Sequence, residues 1–135
     1  MSVNRKAIIC VDDESIILES LREQLQKHFG DDYLYETAES AEEALEILDD
    51  LEDEDIEIAF IVCDWLMPGM KGDKFLLQVD LRYPRVVKVL LTGQANQESV
   101  DTLKELADLF TLVPKPWNKD ELISIIRKGL KQNEK

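Results

Sequence analysis

One rhythm in this chain constrains its fold more than any other feature. Short, almost unbroken apolar runs end on polar residues, and each is followed by a segment of helical period. "KAIICVD" ends at Asp12, and from Ser15 to Phe29 the residues Ile17, Leu18, Leu21, Leu25 and Phe29 recur at helical spacing until Gly30 closes the pattern. "YLYETA", rich in Tyr and Thr, predicts a second strand. "SAEEALEIL" predicts a helix with Ala41, Ala44, Leu45 and Leu48 on one face and Ser40 as its N-cap. "EIAFIVCD" predicts a third strand, "GDKFLLQVDLR" a helix after the Pro68–Gly69 turn, and "VVKVLLTG" a fourth strand ending at Thr92. "NQESVDTLKELA" predicts a fourth helix and "LFTLVPKP" a fifth strand ending at Lys115. In the last helix, "NKDELISIIRKGLKQ", Leu122, Ile125, Ile126 and Leu130 form one stripe, and Lys128 and Lys131 suit the helix dipole. Strands that are apolar throughout, rather than alternating, are buried on both faces. Five such alternations predict an α/β fold, a parallel sheet with helices on both sides.

At 135 residues the chain fits one domain able to bury a continuous core, and no repeat, low-complexity stretch or linker divides it. The reading is one domain over 1–135 with its core at about 6–132. No apolar stretch approaches the roughly 18 residues a membrane span needs. "MSVNRKAIICVDDE" has too short an apolar core for a signal peptide, which implies no membrane partner and a cytoplasmic location. With 16 basic and 29 acidic residues the formal charge is −13, a field that repels phosphate backbones and argues against direct nucleic-acid binding. Cys10 and Cys63, each inside an apolar run, read as packed core residues, and the single His28 as a surface or helix-end residue. "DDLEDEDIE", Asp49 to Glu57, holds seven acids in nine positions and reads as a solvated helix end and loop.

In open α/β sheets, ligands bind beyond the carboxyl ends of the strands. The residues at those ends are Asp12 and Asp13 after strand one, Asp64 at strand three, Thr92 at strand four and Lys115 at strand five. Singly, each has a plain structural reading: acids before a helix, a turn former, a β-branched strand end, a solvated charge. Polar or charged residues at four of five strand ends exceed what turns require. Three converging carboxylates repel one another unless a hard divalent cation offsets the repulsion, and magnesium takes oxygen ligands while keeping waters free for phosphate oxygens. With Lys115 as a second positive charge and Thr92 as a donor, these parts make a phosphoryl-transfer site in which a carboxylate is the nucleophile. Asp64, central in the sheet, is the natural candidate.

These segments resemble the receiver domain of two-component response regulators, the CheY-like superfamily, over essentially the full chain. "VDDES" is similar to that family's acidic pair, "CDWLMPGMKG" to its phospho-acceptor Asp with a Met-Pro-x-x-x-Gly loop, "LLTG" to its strand-four Thr and "PKPW" to its strand-five Lys-Pro. The resemblance implies a single doubly wound (βα)5 flavodoxin-like fold with strand order 2-1-3-4-5. It implies that Asp64 accepts a phosphoryl group from a sensor histidine kinase or phosphotransfer protein. Asp13, Asp64 and the Leu66 backbone carbonyl would coordinate Mg2+, with Asp12 helping through water. Lys115 would contact the phosphoryl oxygens, Thr92 would donate to them, Gly93 would leave room for that approach, and the Lys115–Pro116 bond would be cis.

Two departures stand out. Leu112 fills the place of the family's usual aromatic residue three before the Lys, with Phe110 two residues earlier. Pro114 removes a backbone donor, tolerable if strand five is an edge. Leu66 and Gln94 occupy positions that tune dephosphorylation in the family. The resemblance further implies that the face of the fourth helix, fifth strand and fifth helix signals to a downstream protein target or output domain, or forms a phosphorylation-dependent homodimer. Such a chain acts alone by protein contact or within a longer protein, and is no enzyme beyond its own Mg-dependent phosphorylation and dephosphorylation. Two rivals fit poorly: Leu66 stands where a haloacid-dehalogenase phosphatase needs a second Asp, and "DDES" where a flavodoxin needs a phosphate loop. A degenerate receiver that binds partners without phosphorylation is the alternative.

Overall fold

After Lys6 every residue of strand β1 (Lys6–Val11) is buried, as is every residue after Glu57 in β3 (Glu57–Asp64), so both strands lie inside the sheet. The computed structural model describes residues 6–92, 111–114 and 117–134. The fourth helix expected from "NQESVDTLKELA", Gly93, Gln94, Phe110, Lys115 and the Lys115–Pro116 bond lie outside the described residues. With β2 (Tyr33–Ala38), β4 (Val87–Thr92) and β5 (Thr111–Pro114), the strands form one five-stranded sheet in the order β2-β1-β3-β4-β5, parallel throughout. This is the expected order, and it leaves Pro114 on an edge strand, where a missing donor breaks no further ladder.

Alternation along each strand divides the core in two. Ile9, Val11, Ile61, Cys63 and Leu90 face α2 (Ala41–Asp53) and α3 (Gly72–Arg82). Ile8, Cys10, Phe60, Val62 and Leu91 face α1 (Ser15–Phe29) and the C-terminal helix (Lys119–Glu134). The helix punctuation follows the sequence closely. Gly30 ends α1 at φ 67°, a left-handed conformation that glycine adopts without steric cost. The Ser40 hydroxyl accepts the Glu43 N–H at 3.1 Å, capping α2. In the C-terminal helix the buried stripe is Leu122, Ile123, Ile126 and Leu130, so Ile123 takes the place expected of Ile125, which is half-buried. Gly129 lets this helix touch the sheet: a Cβ there would collide with the Phe60 ring and lie 2.9 Å from Val87 Cγ1. Mid-helix glycine costs about 1 kcal/mol relative to Ala, a cost that this close packing offsets.

Cys10 and Cys63 are buried on opposite sheet faces and form no disulfide, and His28 is exposed in the last turn of α1. Lys88 is the surprise. It is 1% exposed on β4, donating to the Val86 carbonyl at 2.7 Å and pairing with Asp80 of α3 at 3.2 Å. A buried ammonium needs such partners, and here they tie α3 to β4. Among the described residues no helix is long and apolar enough to cross a membrane.

Candidate functional site

Because all five strands run parallel, their carboxyl ends share one edge. β1 stops at Val11, one residue before Asp12, whose N–H donates to the Ala38 carbonyl at 3.1 Å and so stays tied to the end of β2. Asp12 Oδ1 accepts the Glu14 N–H at 2.9 Å, which aims the chain into α1. Asp64 is the last residue of β3, paired in register with Leu91, and the next N–H, of Trp65, donates to the Leu91 carbonyl at 2.9 Å. Both carboxylates are therefore positioned by ladder hydrogen bonds rather than by loose loops.

The loop after Asp64 is closed at its neck. The Gly72 N–H donates to the Trp65 carbonyl at 2.9 Å. A Cβ on Gly72 would collide with the Asp64 carbonyl oxygen and sit 3.0 Å from Leu90 Cδ1, so only glycine lets α3 begin this close to the end of β3. Between the ends of the neck, Trp65 and Met67 are buried in the α2–α3 core while Leu66 is 51% exposed. Burying these two side chains contributes about 1.5–3 kcal/mol each and pins the loop from beneath. The sequence reading did not single out Trp65 or Met67. Three consecutive large apolar residues, Trp65, Leu66 and Met67, directly after the strand's last acid were the available signal.

The outcome of this positioning is a convergence. One carboxylate oxygen from each of Asp12, Asp13 and Asp64 lies within 4.8 Å of the others, with Asp12 and Asp64 buried and Asp13 exposed. Three ionised carboxylates this close repel one another, and two of them have lost most of their hydration. The donor set is oxygen only, matching a hard divalent cation and not a thiolate- or imidazole-seeking metal. Beneath the site, burial and then the charge of Asp12 push the Cys10 thiol up to about 12, so it remains protonated and offers no nucleophile.

The remaining expected site residues fall as follows. Thr92 ends β4 opposite Pro114 of β5, one strand over from Asp64, and its backbone alone is described. Leu66 lies two residues beyond Asp64 in the pinned loop.

A family model described as the response regulator receiver domain matches residues 8–127. The hydrogenase transcriptional regulatory protein HoxA of Cupriavidus necator is 30% identical over 130 residues, which is 96% of this chain and 25% of that protein. The chain thus spans about a quarter or less of the length of the curated relatives it matches. Among solved structures, a CheY-like response regulator receiver domain protein from Methanospirillum hungatei superimposes with TM-score 0.82 at 27% identity, over 96% of this chain and 97% of that one. The signal receiver domain of an HD domain-containing protein from Pseudomonas fluorescens gives TM-score 0.83 at 24% identity, over 99% and 93%, a likeness of fold.

Proposed function

Because this chain belongs to the response regulator receiver domain family, we propose that it is a phosphorelay receiver that takes a phosphoryl group on Asp64 from a sensor histidine kinase or phosphotransfer protein. The observation that carries this reading is the convergence of Asp12, Asp13 and Asp64 at the carboxyl edge of the sheet. An Asp64 carboxylate oxygen attacks the phosphorus of the donor's phosphohistidine. A new O–P bond forms, the P–N bond breaks, and its electron pair stays on the imidazole nitrogen, which takes a proton.

Asp12, Asp13, Asp64 and the Leu66 backbone carbonyl would hold magnesium, whose chemistry here is to neutralise charge on carboxylates and phosphoryl oxygens. Thr92 donates its hydroxyl to the transferred group and Lys115 places an ammonium against it; both roles come from the family resemblance. The whole of 1–135 acts as one receiver unit, core about 6–132, in the cytoplasm, with no catalysis beyond its own phosphorylation and dephosphorylation. Its output passes through the face of the fourth helix, fifth strand and C-terminal helix to a protein target, an output domain or a second phosphorylated copy.

The test is intact mass after incubation with acetyl phosphate and magnesium, repeated for Asp64→Asn, with beryllofluoride binding as a second readout. A phosphoryl-sized gain, or tight beryllofluoride binding, that disappears in the variant is the expected result. Neither response in the wild type would sink this reading and leave the receiver that binds partners without phosphorylation.

A further inference from the structure

At the opposite edge of the sheet, where the strands begin, the α2–β3 and α3–β4 connections enclose a groove of about 490 Å³. Its floor is apolar, made by Ile56, Ile58 and Val86, and the Tyr83 ring forms part of its wall. Three carboxylates, Glu52, Asp55 and Glu57, stand around that floor, Glu57 within 4.0 Å of the Lys6 ammonium of β1, and the single basic side chain on the lining, Arg85, has an interaction of its own. The wall is preorganised. The Tyr83 hydroxyl donates to Glu52 Oε2 at 2.9 Å, and Arg82 lies 5.3 Å from the centre of the Tyr83 ring while pairing with Asp49 and Glu52.

Two features of this edge run against stability. Helix α2 carries Asp50, Glu52 and Asp53 in its last turns and no basic residue there, although the dipole disfavours negative charge at a helix C-terminus. Past its end, the Ile56 N–H donates to the Leu51 carbonyl and the Asp55 N–H to the Glu52 carbonyl, a Schellman closure. Its left-handed position, normally glycine, is held by Asp55 at φ 60°. Carboxylates stand where the backbone and the dipole favour something else, and they surround an apolar groove of side-chain dimensions.

We propose that this groove docks a segment of a partner protein in which a lysine or arginine stands beside an aliphatic residue. The aliphatic stem of such a cation would lie on Ile56, Ile58 and Val86 with its charged head among Glu52, Asp55 and Glu57, a division of labour natural to long basic side chains. The chain's charge of −13 attracts the same partner over distance. The groove lies at the start of β3 and Asp64 at its end, about 23 Å apart at the usual rise of a strand. Docking here is therefore separate from phosphoryl transfer, and its test does not depend on that reaction.

Fluorescence anisotropy of a labelled Lys-Leu-Lys-Leu-Lys-Leu peptide against the full chain tests the proposal. Saturable binding is expected, weakened about tenfold or more in Glu52→Gln/Glu57→Gln. A matched loss of two charges on the exposed side of α1, Glu19→Gln/Glu23→Gln, should change it less than about twofold, and Asp64→Asn not at all. Amide shifts in the wild type should centre on Ile56, Tyr83 and Val86, a readout that needs no variant to fold. Four results overturn the idea: no saturable binding, equal weakening by both double variants, equal affinity for a Lys-Ser repeat peptide, or displacement by spermine at the peptide's own concentration. The last would make it a polyamine site.

Discussion

The two edges of the sheet are both acidic, yet their carboxylates live in different physical worlds. At the carboxyl edge, Asp12 and Asp64 are buried, fixed by strand ladders, and brought with Asp13 to within 4.8 Å. At the opposite edge the acids of α2 and its following turn are exposed, spread along a helix end, and partly countered by Arg82 and the Tyr83 hydroxyl. Convergence under burial makes charge a chemical resource, because repulsion there is poorly screened and a cation relieves it. Dispersal in solvent makes charge a field, weak per residue and additive at range.

The largest way to break this contrast is Gly72→Ala. The new methyl group would displace either the start of α3 or the Asp64 carbonyl, so a loss of about 1–3 kcal/mol in urea unfolding is expected. The Trp65 fluorescence change expected on adding magnesium under the proposed function should weaken with it, while the peptide affinity proposed for the far groove should not change. An unchanged magnesium response would mean that the neck does not position Asp64.

Removing one charge from the convergence sharpens the contrast with a smaller effect. Asp13→Asn relieves repulsion against two buried carboxylates, so in a chelator the variant should be more stable than wild type by about 1 kcal/mol. With millimolar magnesium the order should reverse, because stabilisation by a ligand grows with its affinity for the folded state. Glu54→Gln, an exposed acid at the far edge, should move either melt by less than about 0.5 kcal/mol. Thermal melts of the three proteins with chelator and with magnesium check all of this together.

The sequence made the frame legible because period and punctuation act locally. The limits of α1 and α3, the Ser40 cap and the Gly30 stop are properties of a few neighbouring residues. So is the acid at each strand end: once the strands are parallel, their ends must share an edge, and Asp12, Asp13 and Asp64 meet there without further information. Lys88 was not legible, since a lysine in an apolar run looks like an exposed edge until Asp80, eight residues upstream on another element, is known to cover it. The same holds for Gly129, whose reason is the Phe60 ring on a distant strand, and for the far groove, which needs two connections brought side by side. The acid run from Asp49 to Glu57 reads as a helix end and loop, and it does carry the end of α2 and the turn into β3, but its apolar neighbours Tyr83 and Val86 come from another part of the chain.

High pH probes both edges at once. Burial, then Asp12, push the Cys10 thiol up from 9.0 to about 12; burial, then its bond to Glu52, push the Tyr83 hydroxyl up from 10.0 to about 12. In both cases the folded chain keeps a proton that the unfolded chain releases. The stability these groups contribute is therefore complete below about pH 9 and declines as pH climbs toward 12. Melting temperature should fall with pH in that window, Cys10→Ala should flatten the fall from about pH 9, and Tyr83→Phe only from about pH 10. An identical slope in all three proteins would place the alkaline sensitivity elsewhere.

The smallest effect is the most discriminating for the far edge. Asp55 sits at φ 60° in the position where a Schellman closure prefers glycine, so Asp55→Gly should relieve backbone strain and remove a negative charge beside the α2 C-terminus. Both changes favour the folded state, and a gain of about 0.5 kcal/mol is expected in urea unfolding. If the carboxylate serves only the turn, nothing else changes. If it serves a basic partner, the stabilised variant binds the Lys-Leu peptide less tightly, so stability and affinity move in opposite directions. At the carboxyl edge Asp13→Asn should make the same exchange, with magnesium as the proposed ligand. A variant with more stability and undiminished affinity would show that Asp55 contributes nothing to docking and that the analogy between the two edges ends at their composition.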